Sequence, residues 1–291
     1  MALDLEARKK GIGGSDAGAI LGISPWKTPL QVYMDKVGAT DPIQDNDSMF
    51  WGRTLEPVIR QRYADVTNRK VVVPDTLITH PKFEFMIGNL DGITSDNRVL
   101  EIKTARSAEG WGEPGSNEIP DSYMIQVQHY MLITAIPVAD VAVLIGGSDF
   151  RIYEIPAEPE LMELMIEKET GFWSRVINRD PPEPITYQDM LLKYGRTSKE
   201  SRVQADAVAI AAVARLKEIK AIAKEEDELK TVIMAAFGES DTLMDNNKVL
   251  ATWKAGNGSK RFNAKLFEAE NPEFYKKYIV RSEPTRRLLL K

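Results

Sequence analysis

Cysteine is absent from the 291 residues, which excludes disulfides, thiolate-bound zinc and iron–sulfur clusters and fits a reducing compartment. Histidine is nearly absent. His80 and His129 are the only two, far apart in the chain, so neither a histidine-built metal site nor a His-dependent nucleophile is expected. Long apolar runs are also missing. The most apolar stretch, Met131 to Gly147, is interrupted by Pro137 and Asp140; it is too short to span a bilayer and reads as a helix end followed by a buried strand. Asp4, Glu6, Arg8, Lys9 and Lys10 crowd the N-terminus and leave no apolar signal-peptide core. A cytoplasmic location is the expectation.

What is present is an ordinary globular composition, 43% hydrophobic and 28% charged, enough for one large core or a core with a smaller appended domain. A net charge of −5 argues against a nonspecific nucleic-acid coat protein. The distribution is uneven. Residues 1–195 hold 19 Lys+Arg against 29 Asp+Glu, whereas residues 196–291 hold 19 against 14, and from Asn246 onward 11 against 4. An acidic part can hold cations and a basic tail can touch phosphate, although an imbalance of this size is equally readily a solvated surface.

Gly11-Ile12-Gly13-Gly14 reads as a loop leading to an N-cap at Ser15 and a short helix from Asp16 to Leu21. Thr28-Pro29 reads as N-cap and N1 of a second helix ending before Gly38. A third covers about Met49 to Val66. Strand material follows at Lys70–Val73, Leu77–Thr79, Phe83–Thr94 and Arg98–Ala105, with a turn at Ser95-Asp96-Asn97. A helix from Asp121 to Ile136, strands at Val138–Ile145 and Phe150–Ile155, and an amphipathic helix to Asn178 complete an α/β core with a central mixed β-sheet flanked by helices. Pro181, Pro182 and Pro184 mark a boundary, and Gly195–Arg202 reads as a polar linker. The expected division is therefore 1–195 and 196–291. The second part should be a mainly helical extension: a long helix over Val203–Phe237, a small hairpin around Asn246-Asn247, and short pieces to the end. The apolar residues of that helix (Val213, Leu216, Ile219, Ile222, Leu229, Val232) are expected to pack against the chain or a neighbouring subunit.

The chemistry concentrates in Asn89-Leu90-Asp91-Gly92-Ile93 and Leu100-Glu101-Ile102-Lys103. Alternation in a strand puts Glu101 and Lys103 on one face, with Leu100 and Ile102 on the other. If the turn centres the hairpin on Asp96, Asp91 falls opposite Glu101. Facing carboxylates repel one another. A cation between them removes the conflict, and an all-oxygen site suits magnesium or manganese. Lys103 would then orient or deprotonate a water, or offset charge on a scissile phosphate. An isolated acid…acid-x-lysine triplet is commonly just an exposed hairpin, so the surrounding residues decide its weight.

Those surroundings carry a resemblance. Gly13-Gly14-Ser15-Asp16, Ile20-Leu21-Gly22, Ser24-Pro25-Trp26-Lys27-Thr28-Pro29, Trp51-Gly52-Arg53-Thr54-Leu55-Glu56, His80-Pro81, Asn89-Leu90-Asp91-Gly92, Leu100-Glu101-Ile102-Lys103-Thr104, and Ile119-Pro120 with Tyr123 and Gln126-Val127-Gln128 together resemble the YqaJ-like viral recombinases. These are relatives of the lambda-type exonucleases in the PD-(D/E)XK nuclease superfamily. The resemblance spans roughly residues 8–155, and Leu90 departs from it where the superfamily name has proline.

The resemblance implies a PD-(D/E)XK core and assigns roles. Asp91, Glu101 and the Ile102 carbonyl would bind metal, with Glu56 serving a second ion or its water, so that one or two Mg²⁺ or Mn²⁺ ions are expected. Lys103 would be the catalytic lysine, positioned with the water by Gln126. Arg8, Ser15 and Asn89 would contact a 5′-terminal phosphate. Backbone amides after Gly13-Gly14, a serine hydroxyl and an arginine do suit an anion; taken alone, the same residues are as readily a helix cap. The implied activity is Mg²⁺-dependent 5′-to-3′ exodeoxyribonuclease action on linear double-stranded DNA in a phage-infected or prophage-bearing bacterium. It would leave 3′ single strands for a single-strand annealing protein, and a ring-shaped trimer follows by analogy. Alternatives are an endonuclease or structure-specific nuclease on the same core, or a catalytically inactive DNA-binding or assembly module. Trp26, Trp51 and Trp111 can stack on bases, but core or rim packing is the commoner role for such residues.

Overall fold

A computed structural model describes residues 8–40, 45–196, 202–256, 261–280 and 285–290. The chain divides into two compact units, Met1–Lys193 and Tyr194–Lys291. Among the described residues no helix is long and apolar enough to cross a membrane.

The first unit opens with helices α1 (Gly14–Ile20), α2 (Pro29–Lys36) and α3 (Asp47–Thr67). Local chemistry sets their ends. Thr28 and Gln31 form a reciprocal capping box at α2, with Pro29 in the first turn, and Gly38 leaves it at φ +71°. Asn46 caps α3 through the Met49 N–H, and Asn68 ends it in the left-handed region. At α1 the sequence expectation shifts. Gly13, not Ser15, is the N-cap, and Asp16 at the third position reaches back to accept the Gly13 N–H at 3.3 Å.

Strands β1 (Val71–Val72), β2 (Ile78–Thr79), β3 (Ile87–Gly88), β4 (Gly92–Thr94) and β5 (Val99–Ala105) follow, then α4 (Asp121–Thr134), β6 (Val138–Ile145), β7 (Asp149–Pro156), α5 (Pro159–Asn178) and α6 (Tyr187–Tyr194). The main sheet has the order β1-β4-β5-β6-β7. Every pair is antiparallel except β5–β6, which α4 joins as a crossover, so the sheet is mixed and the architecture is the expected α/β one. On one face Val99, Val141, Val143, Tyr153 and Ile155 pack against Val127, Tyr130 and Met131 of α4. On the other, Leu100, Ile102 and Ala142 pack against Ile59 and Tyr63 of α3.

Two further expectations changed. The run Phe83–Thr94 is not one strand. Met86 N–H turns back to the Phe83 carbonyl, and Ile87 N–H pairs with Ile12, so β3 hydrogen-bonds β2 and the N-terminal loop before β4 begins. Helix α6 was not anticipated. Its organiser is buried Asp189, which accepts the Ile185 and Thr186 N–H groups and the Thr28 hydroxyl, a contact across 161 residues that no local pattern reveals.

The second unit contains α7 (Ala207–Phe237), the hairpin β8 (Thr242–Asp245) and β9 (Lys248–Thr252), α8 (Ala264–Glu270) and α9 (Pro272–Tyr278). Asp206 caps α7, and Asn246 takes φ +51° in the hairpin turn. Buried Phe237 meets Trp253 edge-on at 5.9 Å. The apolar residues along α7 do not pack against the described chain and are exposed, among them Val213, Ile219, Ile222, Leu229 and Val232, which leaves a neighbouring subunit as the expected cover.

Candidate active site

The β4–β5 hairpin pairs Ile93 with Val99 and Gly92 with Leu100, so one further step sets Asp91 opposite Glu101. Asn97, at φ +61°, closes the turn that produces this register. The ladder stops there. Ile102 N–H, with no partner residue on β4, donates instead to Asp91 Oδ2 at 2.8 Å. The N–H and C=O of one strand residue point to the same side, so the Ile102 carbonyl is directed to this open side too.

Glu101 is 3% exposed. Its Oε1 lies 2.6 Å from Lys103 Nζ and accepts Gln126 Nε2–H at 2.8 Å. Gln126 Oε1 in turn accepts from Lys103 at 2.9 Å, and its amide nitrogen also reaches the Tyr130 hydroxyl at 3.1 Å. This fixes the orientation of the amide, since its oxygen faces an ammonium and its nitrogen a carboxylate. Glu101 Oε2 is buried without any partner.

Burial pushes the Asp91 carboxyl well above its usual range, and the charges of Glu101 and Glu56 push it the same way; Lys103 and the Ile102 N–H oppose them. Burial likewise raises Glu101 despite the pull of Lys103. Burial disfavours the Lys103 ammonium, but the ion pair with Glu101 outweighs it, so Lys103 is held above its ordinary range. Both partners of the pair are thus raised. Two short contacts to oxygen hold the lysine's charge.

Glu56, on α3, is paired with Arg60 one turn on, and Arg60 Nε also donates to the Asp91 carbonyl at 2.9 Å. Arg60 was not singled out from sequence, although its i,i+4 spacing from Glu56 was visible there. Neither was Tyr130, one turn from Gln126. Among the described residues no group of three His, Asp or Glu side chains converges closely enough to hold a metal ion, because Glu56 is turned to Arg60 and Glu101 to Lys103. The donor set nevertheless fits a hard divalent ion. It offers a buried carboxylate oxygen without a partner, a second carboxylate raised by its neighbours, and a backbone carbonyl beside them.

Arg8 Nη2 donates to the Ser15 hydroxyl at 2.9 Å. Lys36, almost buried, ties this corner down by donating to the Arg8 carbonyl at 2.8 Å and to Asp16 at 2.6 Å. Burial raises the Tyr130 hydroxyl, the charges of Glu101 and Asp91 push it the same way, and the Gln126 hydrogen bond and the charge of Arg8 oppose them. Gly14 packs on the same ring, where a Cβ would lie 2.7 Å from it. Asn89 is exposed, in the loop between β3 and β4. His129 is structural: fully buried, it bonds Glu169 and the Ile87 carbonyl. Two concavities lie elsewhere, lined by residues such as Ile20, Met124, Leu161 and Phe172.

Three comparisons bear on this arrangement. The chain is similar to the Bacillus subtilis (strain 168) protein YqaJ, with 37% identity over 172 residues, 57% of this chain and 53% of that one; it thus spans about half the length of that relative. Among solved structures it is similar to an alkaline exonuclease (LHK-Exo) from Laribacter hongkongensis, with 19% identity, 60% of this chain and 92% of that one covered, and a TM-score of 0.49. A phage-related exonuclease from Haemophilus somnus 129PT gives 13% identity, 58% and 96% coverage, and a TM-score of 0.42. Residues 5–137, which include every candidate side chain above, match the family model of the YqaJ-like viral recombinase domain, the family that the order of motifs in the sequence implied.

Proposed function

We propose that the chain is a metal-dependent exodeoxyribonuclease that hydrolyses one strand of linear double-stranded DNA from its 5′ end. The observation that carries this reading is the buried Glu101 carboxylate, one oxygen of which is held by Lys103 and Gln126 while the other lacks a partner, with Asp91 bound to the neighbouring Ile102 N–H. Asp91, Glu101 and the Ile102 carbonyl would hold Mg²⁺ or Mn²⁺, with Glu56 serving a second ion or its water. When bound, such an ion polarises the scissile phosphate and lowers the pKa of a coordinated water.

The chain's own groups do the rest. Lys103 has three N–H donors. Glu101 and Gln126 take two of them, leaving one for the attacking water or a phosphate oxygen. Its raised pKa makes it a lasting positive charge against the phosphate, more than a base. Gln126 holds Lys103 and Glu101 at fixed separation, so the site is ordered before substrate arrives. Arg8 retains donors beyond the one given to Ser15, enough for a charge-assisted contact to a 5′-terminal phosphate. An exonuclease requires recognition of such an end, whereas an endonuclease does not. The products would be 3′ single strands for recombination through an annealing protein. Residues 196–291, as a separate domain, would guide DNA or dock that protein, and a ring trimer is the assembly suggested by lambda-type relatives.

The test is digestion of linear duplex with and without a 5′ phosphate, in Mg²⁺ and in EDTA, alongside Glu101→Gln and a closed-circle control. Phosphate-stimulated, Mg²⁺-dependent loss of linear DNA, absent in the variant, is expected. Cutting of the closed circle would move the function to an endonuclease, and no digestion in Mg²⁺ or, in a repeat, in Mn²⁺ would leave a DNA-binding module.

A further inference from the structure

The nuclease reading accounts for the polar residues of the site but leaves a set of aromatic rings beside them unexplained. Tyr153 and Trp111 belong to the core, 0% and 8% exposed, with centroids 5.4 Å apart. Trp111 meets Tyr123 at 5.7 Å. Tyr123 carries Lys103 Nζ over its ring at 4.6 Å, and Trp26 stacks on it at 5.7 Å with planes 27° apart. The series thus runs from the core, past the site lysine, to a tryptophan that is 63% exposed.

Trp26 is also held in place. Ser24 Oγ accepts the N–H groups of Trp26 and Lys27 at 3.2 and 3.3 Å, Lys27 pairs with Asp35 at 2.5 Å, and Thr28 caps α2. An indole of this exposure gains little from the fold, yet its backbone is pinned on both sides. The exposed Trp51 differs, because its aromatic contact is edge-on to its neighbour Phe50 and does not lead to the site lysine.

We propose that Trp26 is the surface on which a nucleobase adjoining the scissile phosphate stacks, a positioning role that rests on the nuclease reading. Trp26 is one ring removed from the lysine that would hold the phosphate, since both Lys103 Nζ and Trp26 lie on Tyr123, and the flanking base would stack on the exposed side of the indole. Stacking suits an enzyme that must accept every base in turn, since each base has a π-face, whereas hydrogen bonds to base edges would discriminate among them. Rigid presentation limits the entropy lost when the base docks.

The test measures binding in EDTA, where nothing is hydrolysed. The probe is a 5′-phosphorylated duplex whose two 5′-terminal nucleotides are unpaired, compared with the same probe made abasic at those two positions. Wild-type chain should bind the abasic probe about tenfold more weakly, in the range of one lost base–aromatic stack. Trp26→Ala should bind the intact probe equally weakly and lose nothing further on the abasic one, while Trp26→Phe stays within about twofold of wild type. Equal binding of both probes by wild type overturns the proposal whether or not the alanine variant folds. So does a Trp26→Ala loss of the same size on both probes. Wild type that distinguishes the probes in EDTA but digests nothing in Mg²⁺ would support the stack and sink the nuclease reading alone.

Discussion

Replacing Glu169 with glutamine should remove a pH dependence of stability that the buried His129–Glu169 pair creates. Both side chains are 0% exposed. His129 Nε2 is 3.0 Å from the Ile87 carbonyl and Nδ1 3.0 Å from Glu169 Oε1. A carbonyl only accepts, so Nε2 carries a hydrogen. The Nδ1 contact then needs a second proton, on the imidazole or on the carboxyl. Burial disfavours the imidazolium, but the charge and hydrogen bond of Glu169 outweigh it and raise His129 above its ordinary value. The folded pair therefore keeps a proton that an unfolded histidine gives up near pH 6.5.

The sign follows from linkage. Stability from the raised histidine is fully present below about pH 6.5 and fades as pH climbs through the folded value, with a slope approaching 1.4 kcal/mol per unit. The gross attraction at 3.0 Å is about 5 kcal/mol at an effective dielectric of about 20, and much of it is offset by desolvation. His129→Leu, which leaves a buried carboxyl and the Ile87 carbonyl without a partner, should cost about 3–5 kcal/mol. Glu169→Gln can still donate to Nδ1 and should cost only about 1–2 kcal/mol, while abolishing the slope. The assay is urea denaturation of the three proteins from about pH 6 to about pH 9. An identical slope in wild type and Glu169→Gln, or a His129→Leu cost below about 1 kcal/mol, would refute the reasoning.

Three further outcomes are expected. Mg²⁺ at about 30 times its Kd should stabilise the wild type by about 2 kcal/mol, a rise of several degrees in melting temperature, and should not shift Glu101→Gln; equal shifts would remove Glu101 from the ion's ligands. Lys36→Met, which strips Asp16 and the Arg8 carbonyl of a nearly buried cation, should cost about 3–5 kcal/mol in denaturant and reduce preference for a 5′ phosphate; a loss under about 1 kcal/mol would count against it. Gly14→Ala would place a Cβ 2.7 Å from the Tyr130 ring and 3.0 Å from the Gln126 carbonyl, so a loss of about 1–3 kcal/mol is expected, and an unchanged melting temperature would show that α1 can move aside.

Local signals made much of this legible. Thr28-Pro29 and Gly38 bracket α2 because capping acts within a turn, and Ser95-Asp96-Asn97 centres the hairpin because strand register is counted from the turn. That register alone set Asp91 opposite Glu101. What escaped depends on contacts distant in sequence. The run 83–94 broke because Ile87 pairs with Ile12. Helix α6 rests on Asp189 and Thr28, and Trp26, in the loop before α2, reaches the site through Tyr123 of α4. Core or rim packing was the commoner expectation for tryptophans here; Trp111 lies in the core, and Trp26 sits exposed at the rim on Tyr123.

Charge within the site bears on how many ions it can take. Glu56, Asp91 and Glu101 bring three formal negative charges; Arg60, bound to Glu56 and to the Asp91 carbonyl, and Lys103, bound to Glu101, bring two positive ones. The balance is −1, and the carboxylate left without a basic side-chain partner is Asp91, whose carboxyl is pushed upward by burial and by the charges of Glu101 and Glu56. One divalent cation changes that balance to +1, which a single phosphodiester charge neutralises. Two would leave these five side chains with +3, so a second ion would need the substrate to bring its own negative charge. Under the proposed nuclease reading, Arg60 and Lys103 would therefore do more than orient carboxylates: by neutralising two of the three, they would favour a site that takes one ion before DNA arrives.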